Sequence, residues 1–230
     1  MDPRATFPVT PRTRAGRKPE RASYDRAAAH AILDEALVAS VGFVDDGVPF
    51  VIPMAFARQG ERLLLHGSSK SRLLLLLAQG APICVTVTLL DGIVLARSAM
   101  HHSMNYRSVM VLGTPRELVA EAEKRAALER VVDHVLACRS LATRPPNERE
   151  LRATRVFALE LEDVSIKSRG GGPIEDADDL GLAHWAGVIP LGIQALAPVP
   201  DPLHAPAAPT PAGASSYQRG RVVSAREVQP

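Results

Sequence analysis

Val41-Gly42-Phe43-Val44-Asp45-Asp46-Gly47-Val48-Pro49-Phe50-Val51-Ile52-Pro53-Met54-Ala55-Phe56-Ala57 is the stretch that decides the fold. Two apolar runs flank Asp46-Gly47, a dipeptide that suits a tight two-residue turn because both positions tolerate positive φ. The segment therefore reads as a β-hairpin of Val41–Asp45 and Val48–Ala57. Pro49 and Pro53 cannot donate to a ladder, which places the second strand at an edge or on a bulge.

The same grammar continues outward. Gln59-Gly60 turns the chain into a strand over Arg62–His66. Ser71–Gln79 is a short apolar helix, with Gly80 suited to its C-terminal cap. In Ile83–Leu90, Ile83, Val85 and Val87 alternate with Cys84, Thr86 and Thr88, the pattern of a half-buried strand. Asp91-Gly92 reads as a second hairpin turn into Ile93–Ser98. Tyr106–Gly113 and Thr154–Val164 read as further strands. Upstream, Ile32, Leu33, Ala36 and Leu37 recur at helical spacing within Tyr24–Ala39, and Ser23 can cap that helix. Glu117–Cys138 carries Leu128, Val131, Val132, Val135 and Leu136 on one side. Pro146-Asn147 opens a short helix through Ala153. Hairpin-joined strands are antiparallel, and parallel sheets need crossover helices that this order lacks. The expected class is mainly β (α+β), a small antiparallel barrel with peripheral helices.

Composition sets the outer limits. The chain has 230 residues, 46% apolar and 23% charged, close to an average globular protein. Residues 1–20 and 198–230 are rich in Pro and polar or small residues and lack an apolar period. They read as disordered tails around a folded unit of residues 21–197, so removing them should leave stability nearly unchanged. The formal net charge is +2. Residues 1–20 hold five cations against two acids and residues 198–230 three against two, which leaves the middle at net −2. A nucleic-acid binder carries its positive charge on the folded body, so no nucleic-acid partner is expected. Cys84 and Cys138 are far apart and form no CxxC. They read as buried fillers rather than a disulfide framework or zinc site, and a cytoplasmic setting follows. The longest apolar run, Leu73 to Ala78, is too short to span a membrane. No apolar h-region follows the N-terminal arginines, so no secretory signal is read.

Two stretches suggest chemistry. His66-Gly67-Ser68-Ser69-Lys70-Ser71-Arg72 leaves a strand and enters a helix. Free N–H groups, hydroxyls and two cations there suit an anionic phosphate. The same letters also serve an ordinary strand-to-helix loop capped by Ser. His101-His102-Ser103-Met104-Asn105-Tyr106-Arg107-Ser108 joins polar and cationic groups to a strand start, and Arg107 and Ser108 face opposite sides of it. Adjacent histidines rarely chelate one metal, and no standard ligand spacing accompanies them, so no metal site is expected. An axial role toward a haem stays open for one of them.

Taken together, Gly47–Met54, Leu65-His66-Gly67-Ser68 with Ser71-Arg72, Asn105–Val109, Ser165–Gly170 and Trp185–Leu191 resemble the flavin-binding split-barrel proteins. The likeness is to the pyridoxamine 5′-phosphate oxidase-like group that includes the nitroimidazole-resistance proteins, over roughly residues 23–192. The resemblance implies a six-stranded antiparallel split β-barrel, a homodimer, and FMN in a groove between subunits. It implies that Pro53, Met54 and Ala55 lie along the isoalloxazine ring and that His66, Gly67 and Ser68 line the ring and ribityl chain. Ser71 and Arg72 would hold the phosphate with Lys70 nearby, and Tyr106, Arg107 and Ser108 would add flavin contacts. Trp185 would cover the flavin from the partner. His66 is the candidate proton donor to a small-molecule substrate, and Arg107 a candidate cation beside the ring. The oxidases proper carry a second cation after the Ser-Arg pair, where this chain has Leu73, and their substrate-phosphate cluster has no counterpart. The implied function is an FMN-dependent oxidoreductase on another small molecule. The alternatives are a flavin-binding module without turnover, or a split barrel using haem or a deazaflavin.

Overall fold

A computed structural model describes residues 5–203, 210–215 and 217. In chain order the main elements are β1 (Ala22–Ser23), α1 (Arg26–Glu35), β2 (Val38–Asp45), β3 (Val48–Gln59) and β4 (Arg62–Ser68). Then come α2 (Arg72–Ala78), β5 (Ile83–Leu95), β6 (Ser103–Gly113), β7 (Arg116–Glu117), α3 (Glu121–Val135) and α4 (Glu148–Ala153). The chain continues through β8 (Thr154–Glu160), β9 (Asp163–Arg169), β10 (Gly187–Pro190) and α5 (Ala212–Ser215). The strands lie in the order β1-β9-β6-β5-β2-β3-β4-β8-β7, with β10 on β5, and every pairing is antiparallel.

The deciding hairpin forms as expected: Val38–Asp45 pairs with Val48–Ala55 in unbroken register, and Asp46 and Gly47 take the positive φ that the turn demands. The sheet then parts. β3 pairs with β4 only over Phe56–Gln59 and Arg62–Leu65. Beyond that point β3 stays with β2 while His66–Ser68 of β4 stays with Val156–Thr154 of β8. The prolines sit on the parted stretch, where no neighbour on that side needs their N–H. α2 fills the gap from inside with Leu73, Leu74 and Leu77, all buried. At the other seam the sheet curls until a Cβ at Gly113 would lie 2.8 Å from Leu159 Cδ1. The result is a split barrel. Its core joins Leu63, Leu65, Phe157 and Leu159 to Val85, Val109, Val111, Val164 and Ile166. A second cluster, Ala57, Leu64, Leu118, Ala127, Val131, Val156 and Ala158, packs α3 on the outer face of β3, β4 and β8.

Several expectations change. Ten strands form among the described residues rather than six, three of them short. Asp91-Gly92 is not a hairpin turn: β5 runs through it with a bulge between Leu90 and Gly92, because β6 pairs along its whole length and β10 along its end. Thr154–Val164 is two strands, broken after Glu160. The first helix is capped by Asp25, whose carboxylate accepts from Ala28 N–H at 2.7 Å, not by Ser23. Cys84 and Cys138 are half-buried rather than sealed.

The largest change is at the N-terminus. Residues 5–20 pack on the barrel instead of forming a tail. Phe7 is 2% exposed within the main core, and the Arg26 guanidinium stacks on its ring at 4.2 Å. Phe7 N–H donates to Tyr24 O at 2.8 Å, and the Tyr24 hydroxyl donates to Thr13 O at 3.0 Å. One aromatic residue in a Pro-rich stretch was enough to anchor it. Most of the expected C-terminal tail lies outside the described residues. Within them, Gly213 of α5 approaches Leu136 and Tyr217 borders a cavity. No described helix is long and apolar enough to cross a membrane.

Candidate functional site

Where β3 and β4 part, the outer face has a gap between strands, called the cleft below. Strand alternation decides which side chains line it. On β3, Val51, Pro53 and Ala55 point outward and are exposed, while Ile52 and Met54 turn in against the core. Of the three expected ring contacts, Pro53 and Ala55 therefore face the cleft and Met54 supports it from behind. On β4, His66 and Ser68 share the outward face with Leu64, and the cover of α3 ends at Leu64 and Val156. Gly67 faces inward, where a Cβ would come within 3.1 Å of Leu74 Cδ1, so glycine lets α2 seat closely under the cleft.

His66 is the unusual group here. Its Nδ1 is buried and has no hydrogen-bond partner. Burial also holds its pKa below the usual histidine value, because the charged form loses water. The imidazole is therefore neutral near pH 7, with one buried ring nitrogen that no described group satisfies. Below it, Ser71 takes the N-cap position of α2 but its hydroxyl makes no cap bond, and Lys70 N–H is held by Ser68 Oγ at 3.3 Å. Lys70 has no acidic partner among the described residues. Arg72 is 60% exposed, reaches Asp45 at 3.5 Å, and lies 4.8 Å over the Phe50 ring. His66 and Ser68 thus share the outward side with Pro53 and Ala55, whereas Arg72 lies against Phe50, which has the parity of Ile52 and Met54 on the other side of β3.

The remaining expected residues lie elsewhere. Tyr106 and Ser108 are on the same outer face, but β5 and β2 separate β6 from β3, about 14 Å at the usual strand spacing. The Ser108 hydroxyl donates to Lys167 O at 2.9 Å. Arg107 points the other way and is held by two carboxylates. It donates to both carboxylate oxygens of Glu35 at 2.6 and 3.0 Å and to both of Asp91 at 2.9 and 2.8 Å. Those bonds, to Asp91 first and Glu35 second, raise its pKa far above the ordinary arginine value. Arg107 therefore serves an ionic clamp, not the cleft. The clamp floors a cavity of about 660 Å³ walled by Leu89, Leu90, Leu191–Ala195 and Tyr217. Sequence reasoning missed Glu35 and Asp91; the alternation around Arg107 gave its direction but not its partners. Trp185 is 66% exposed, and its ring folds back on Gly187, where a Cβ would come within 2.8 Å.

Around His101, the side chains of Asp176 and Asp179 each come within 3.9 Å of one ring nitrogen. This is the one described group with metal-like spacing. The two acids meet different ring nitrogens, and Nδ1 also lies 3.0 Å from Ser98 Oγ.

Comparison with known proteins agrees with the fold. The chain matches the flavocytochrome Anf3 from Azotobacter vinelandii at 41% identity and TM-score 0.87, over 91% of this chain and 97% of that one. It matches an FAD- and haem-binding protein from Mycobacterium smegmatis at 37% identity and TM-score 0.80, over 84% and 95% of the two chains. A protein assigned to 5-nitroimidazole antibiotic resistance, from Bacteroides thetaiotaomicron, shares the fold at 22% identity and TM-score 0.55, over 64% and 85%. No curated protein matches. The sequence profile described as pyridoxamine 5′-phosphate oxidase spans residues 25–168, most of the barrel, and the chain belongs to that family.

Proposed function

We propose that this protein is a flavin-binding redox protein whose isoalloxazine ring lies in the cleft where β3 and β4 part. The carrying observation is the buried, unpartnered Nδ1 of His66, a residue on the outward side of β4 where the strands part. A buried polar atom without a partner is costly, and a ligand with hydrogen-bonding edges would satisfy it. The residues present fit such a ligand. Pro53 and Ala55 offer a small, flat wall, Ser68 and Ser71 offer hydroxyls, and Lys70 and Arg72 offer positive charge for a phosphate. When bound, a flavin supplies electron-pair transfer, and the protein supplies position and proton control. His66, neutral near pH 7, could hold or release a proton at Nδ1 for a small-molecule substrate beside the ring. That makes His66 the candidate catalytic residue and the protein a candidate oxidoreductase.

The outer face also supports a homodimer. Val38, Val44, Val51 and Leu90 are exposed there at 55, 58, 68 and 44%, an apolar surface that self-association would cover. Cleft residues Pro53, Ala55 and His66 occupy one side of this face, and Tyr106 and Ser108 the other. A two-fold axis lying in the plane of the contact and parallel to the strands would lay β6 of one copy over the cleft of its partner and unite the two sets. Val51→Lys should then leave the barrel folded but monomeric in light scattering, and flavin retention should fall with it. A monomer that retains flavin would refute the shared site.

A second reading adds a haem. It is favoured by the strong likeness to a flavocytochrome and to an FAD- and haem-binding protein. The flavin expected from sequence is FMN; these relatives make FAD the competing choice, and the cleft residues would serve the part common to both. A visible spectrum of freshly purified protein with mass spectrometry of the released chromophores tests all of this. A flavin band supports the main reading, and an added Soret band supports the flavocytochrome. A colourless protein that takes up neither group refutes both.

A further inference from the structure

Arg169 carries a charge that the chain leaves unbalanced. It ends β9, opposite Tyr106 on the outer face, and is 8% exposed. Its Nη atoms donate only to neutral acceptors: Asn105 Oδ1 at 2.5 Å, Gly171 O at 3.2 Å and Gly172 O at 2.7 Å. Its Nε is buried with no partner, and no carboxylate pairs with it among the described residues. Buried charges are ordinarily paired, because desolvating a cation costs more than neutral acceptors return.

The nearby acids are committed elsewhere. Glu175, with a side chain only 2% exposed, is held by Arg97 through Nη1 at 2.6 Å and by the Arg97 backbone N–H at 2.5 Å. Asp176 and Asp179 flank His101. Lys167, exposed and two residues away on the same strand face, adds further positive charge. The loop beside the guanidinium is Gly170-Gly171-Gly172, exposed, with nothing within 4 Å of where any of the three Cβ atoms would stand. Gly171 has φ +92, which side-chain-bearing residues rarely adopt. The loop therefore puts no side chain in the way of an approaching group, while its Gly171 and Gly172 carbonyls hold the guanidinium in place.

We propose that Arg169, oriented by Asn105 and flanked by the Gly170–Gly172 loop, is a receptor for an anionic group, a phosphate or carboxylate carried by a bound ligand. A side-on fork of Nε and Nη2 matches two oxygens of such a group. The proposal deepens the redox reading, which supplies two sources of the anion: the phosphate chain of a flavin nucleotide and the carboxylates of a haem.

Titration calorimetry of the full chain tests it with five probes: inorganic phosphate, pyrophosphate, FMN, FAD and haem. Wild type is compared with Arg169→Gln and Arg169→Lys. Loss of a charged hydrogen-bonding partner should weaken the probe that uses the site by about 10- to 100-fold, with partial recovery in the lysine variant. A loss confined to FMN and FAD, or to FAD and pyrophosphate, identifies a nucleotide phosphate. A loss confined to haem identifies a carboxylate, and a loss confined to inorganic phosphate identifies a separate substrate anion. Equal affinity of all three proteins for every probe overturns the proposal. Should the variants fail to fold, wild type melted over a series of millimolar phosphate concentrations at constant ionic strength gives the answer: a melting temperature that rises and saturates supports the site, and one that stays flat or rises linearly, as general salt exclusion does, refutes it. A wild type that binds phosphate but no flavin would sink the flavin reading and leave this one standing.

Discussion

Phe7→Ala offers the sharpest test of the architecture, because the sequence argues that the residue is dispensable and the structure that it is core. The ring is 2% exposed in the main cluster. Burying a phenylalanine is worth about 1.5–3 kcal/mol, and the cavity left by truncation brings typical core losses to about 3–5 kcal/mol. Two features adjust this. The Arg26 guanidinium loses the ring at 4.2 Å, adding about 0.5–1 kcal/mol, while Arg26 keeps its contact with Glu61. Against that, the N-terminal arm can peel away rather than hold a cavity open, which caps the loss at its own docking energy. That energy includes the Phe7 N–H to Tyr24 O and Arg26 N–H to Ala5 O bonds at 2.8 and 2.9 Å. A cost of about 3 kcal/mol results. With a urea slope of about 2 kcal/mol/M, the unfolding midpoint should fall by about 1–2 M. Deletion of residues 1–20 should cost at least as much. A midpoint unchanged in either variant would refute the packing of this arm.

Other perturbations follow from the same contacts. Arg72→Ala should weaken flavin retention by about 1.5–3 kcal/mol, the worth of a charge-assisted bond; undiminished retention in dialysis would remove Arg72 from the phosphate site. Gly113→Ala places a methyl 2.8 Å from Leu159 Cδ1 at the seam, and should cost about 1–3 kcal/mol by overpacking, read from the melting temperature. His66 and His134 both have pKa values lowered mainly by burial. The unfolded chain then binds more protons, so stability is full above about pH 6.5 and falls as pH drops below it. His134→Gln, which can still donate to Ala36 O, should flatten the slope below about pH 6.5; an unchanged slope refutes the assignment. Arg107→Met should destabilise by leaving Glu35 and Asp91 facing each other, and Glu35→Gln in the same chain should recover part of the loss; no recovery would show the clamp to be inert.

Legibility in the sequence followed the range of the signals. The β2–β3 hairpin was readable because its turn residues and alternation lie within a dozen positions, and positive φ at Asp46 and Gly47 confirms the chemistry. Asp91-Gly92 carries the same letters and does not turn. There the competing influence is distant: Ser103–Tyr106 and Gly187–Pro190 pair on either side and hold β5 straight through its bulge. A local turn preference is worth less than two ladders. Phe7 was misread for the same reason, since its partners stand far along the chain and no periodicity around it announces burial.

Strand parity settles what the candidate site can be. Neighbouring letters such as Tyr106-Arg107-Ser108 look like one polar motif in sequence, yet alternation sends them to two sides of the sheet. Arg107 goes to the barrel end and is consumed by two carboxylates, while Tyr106 and Ser108 remain on the outer face with Arg169 beside them. Pro53 and Ala55 stay on that face while Met54 leaves it. What survives is a single surface with Pro53, Ala55 and His66 at one side and Tyr106, Ser108 and Lys167 at the other, and Arg169 buried at its edge against Asn105. About 14 Å of sheet lies between β3 and β6, wider than one flavin ring can bridge side by side. Either the two sets serve different ligands, or a second copy superposes them. The Val51→Lys and Arg169→Gln experiments separate these cases. If both variants lose the same flavin, the sets form one composite site across a dimer. If Val51→Lys alone releases flavin and Arg169→Gln releases haem or phosphate, the face carries two sites.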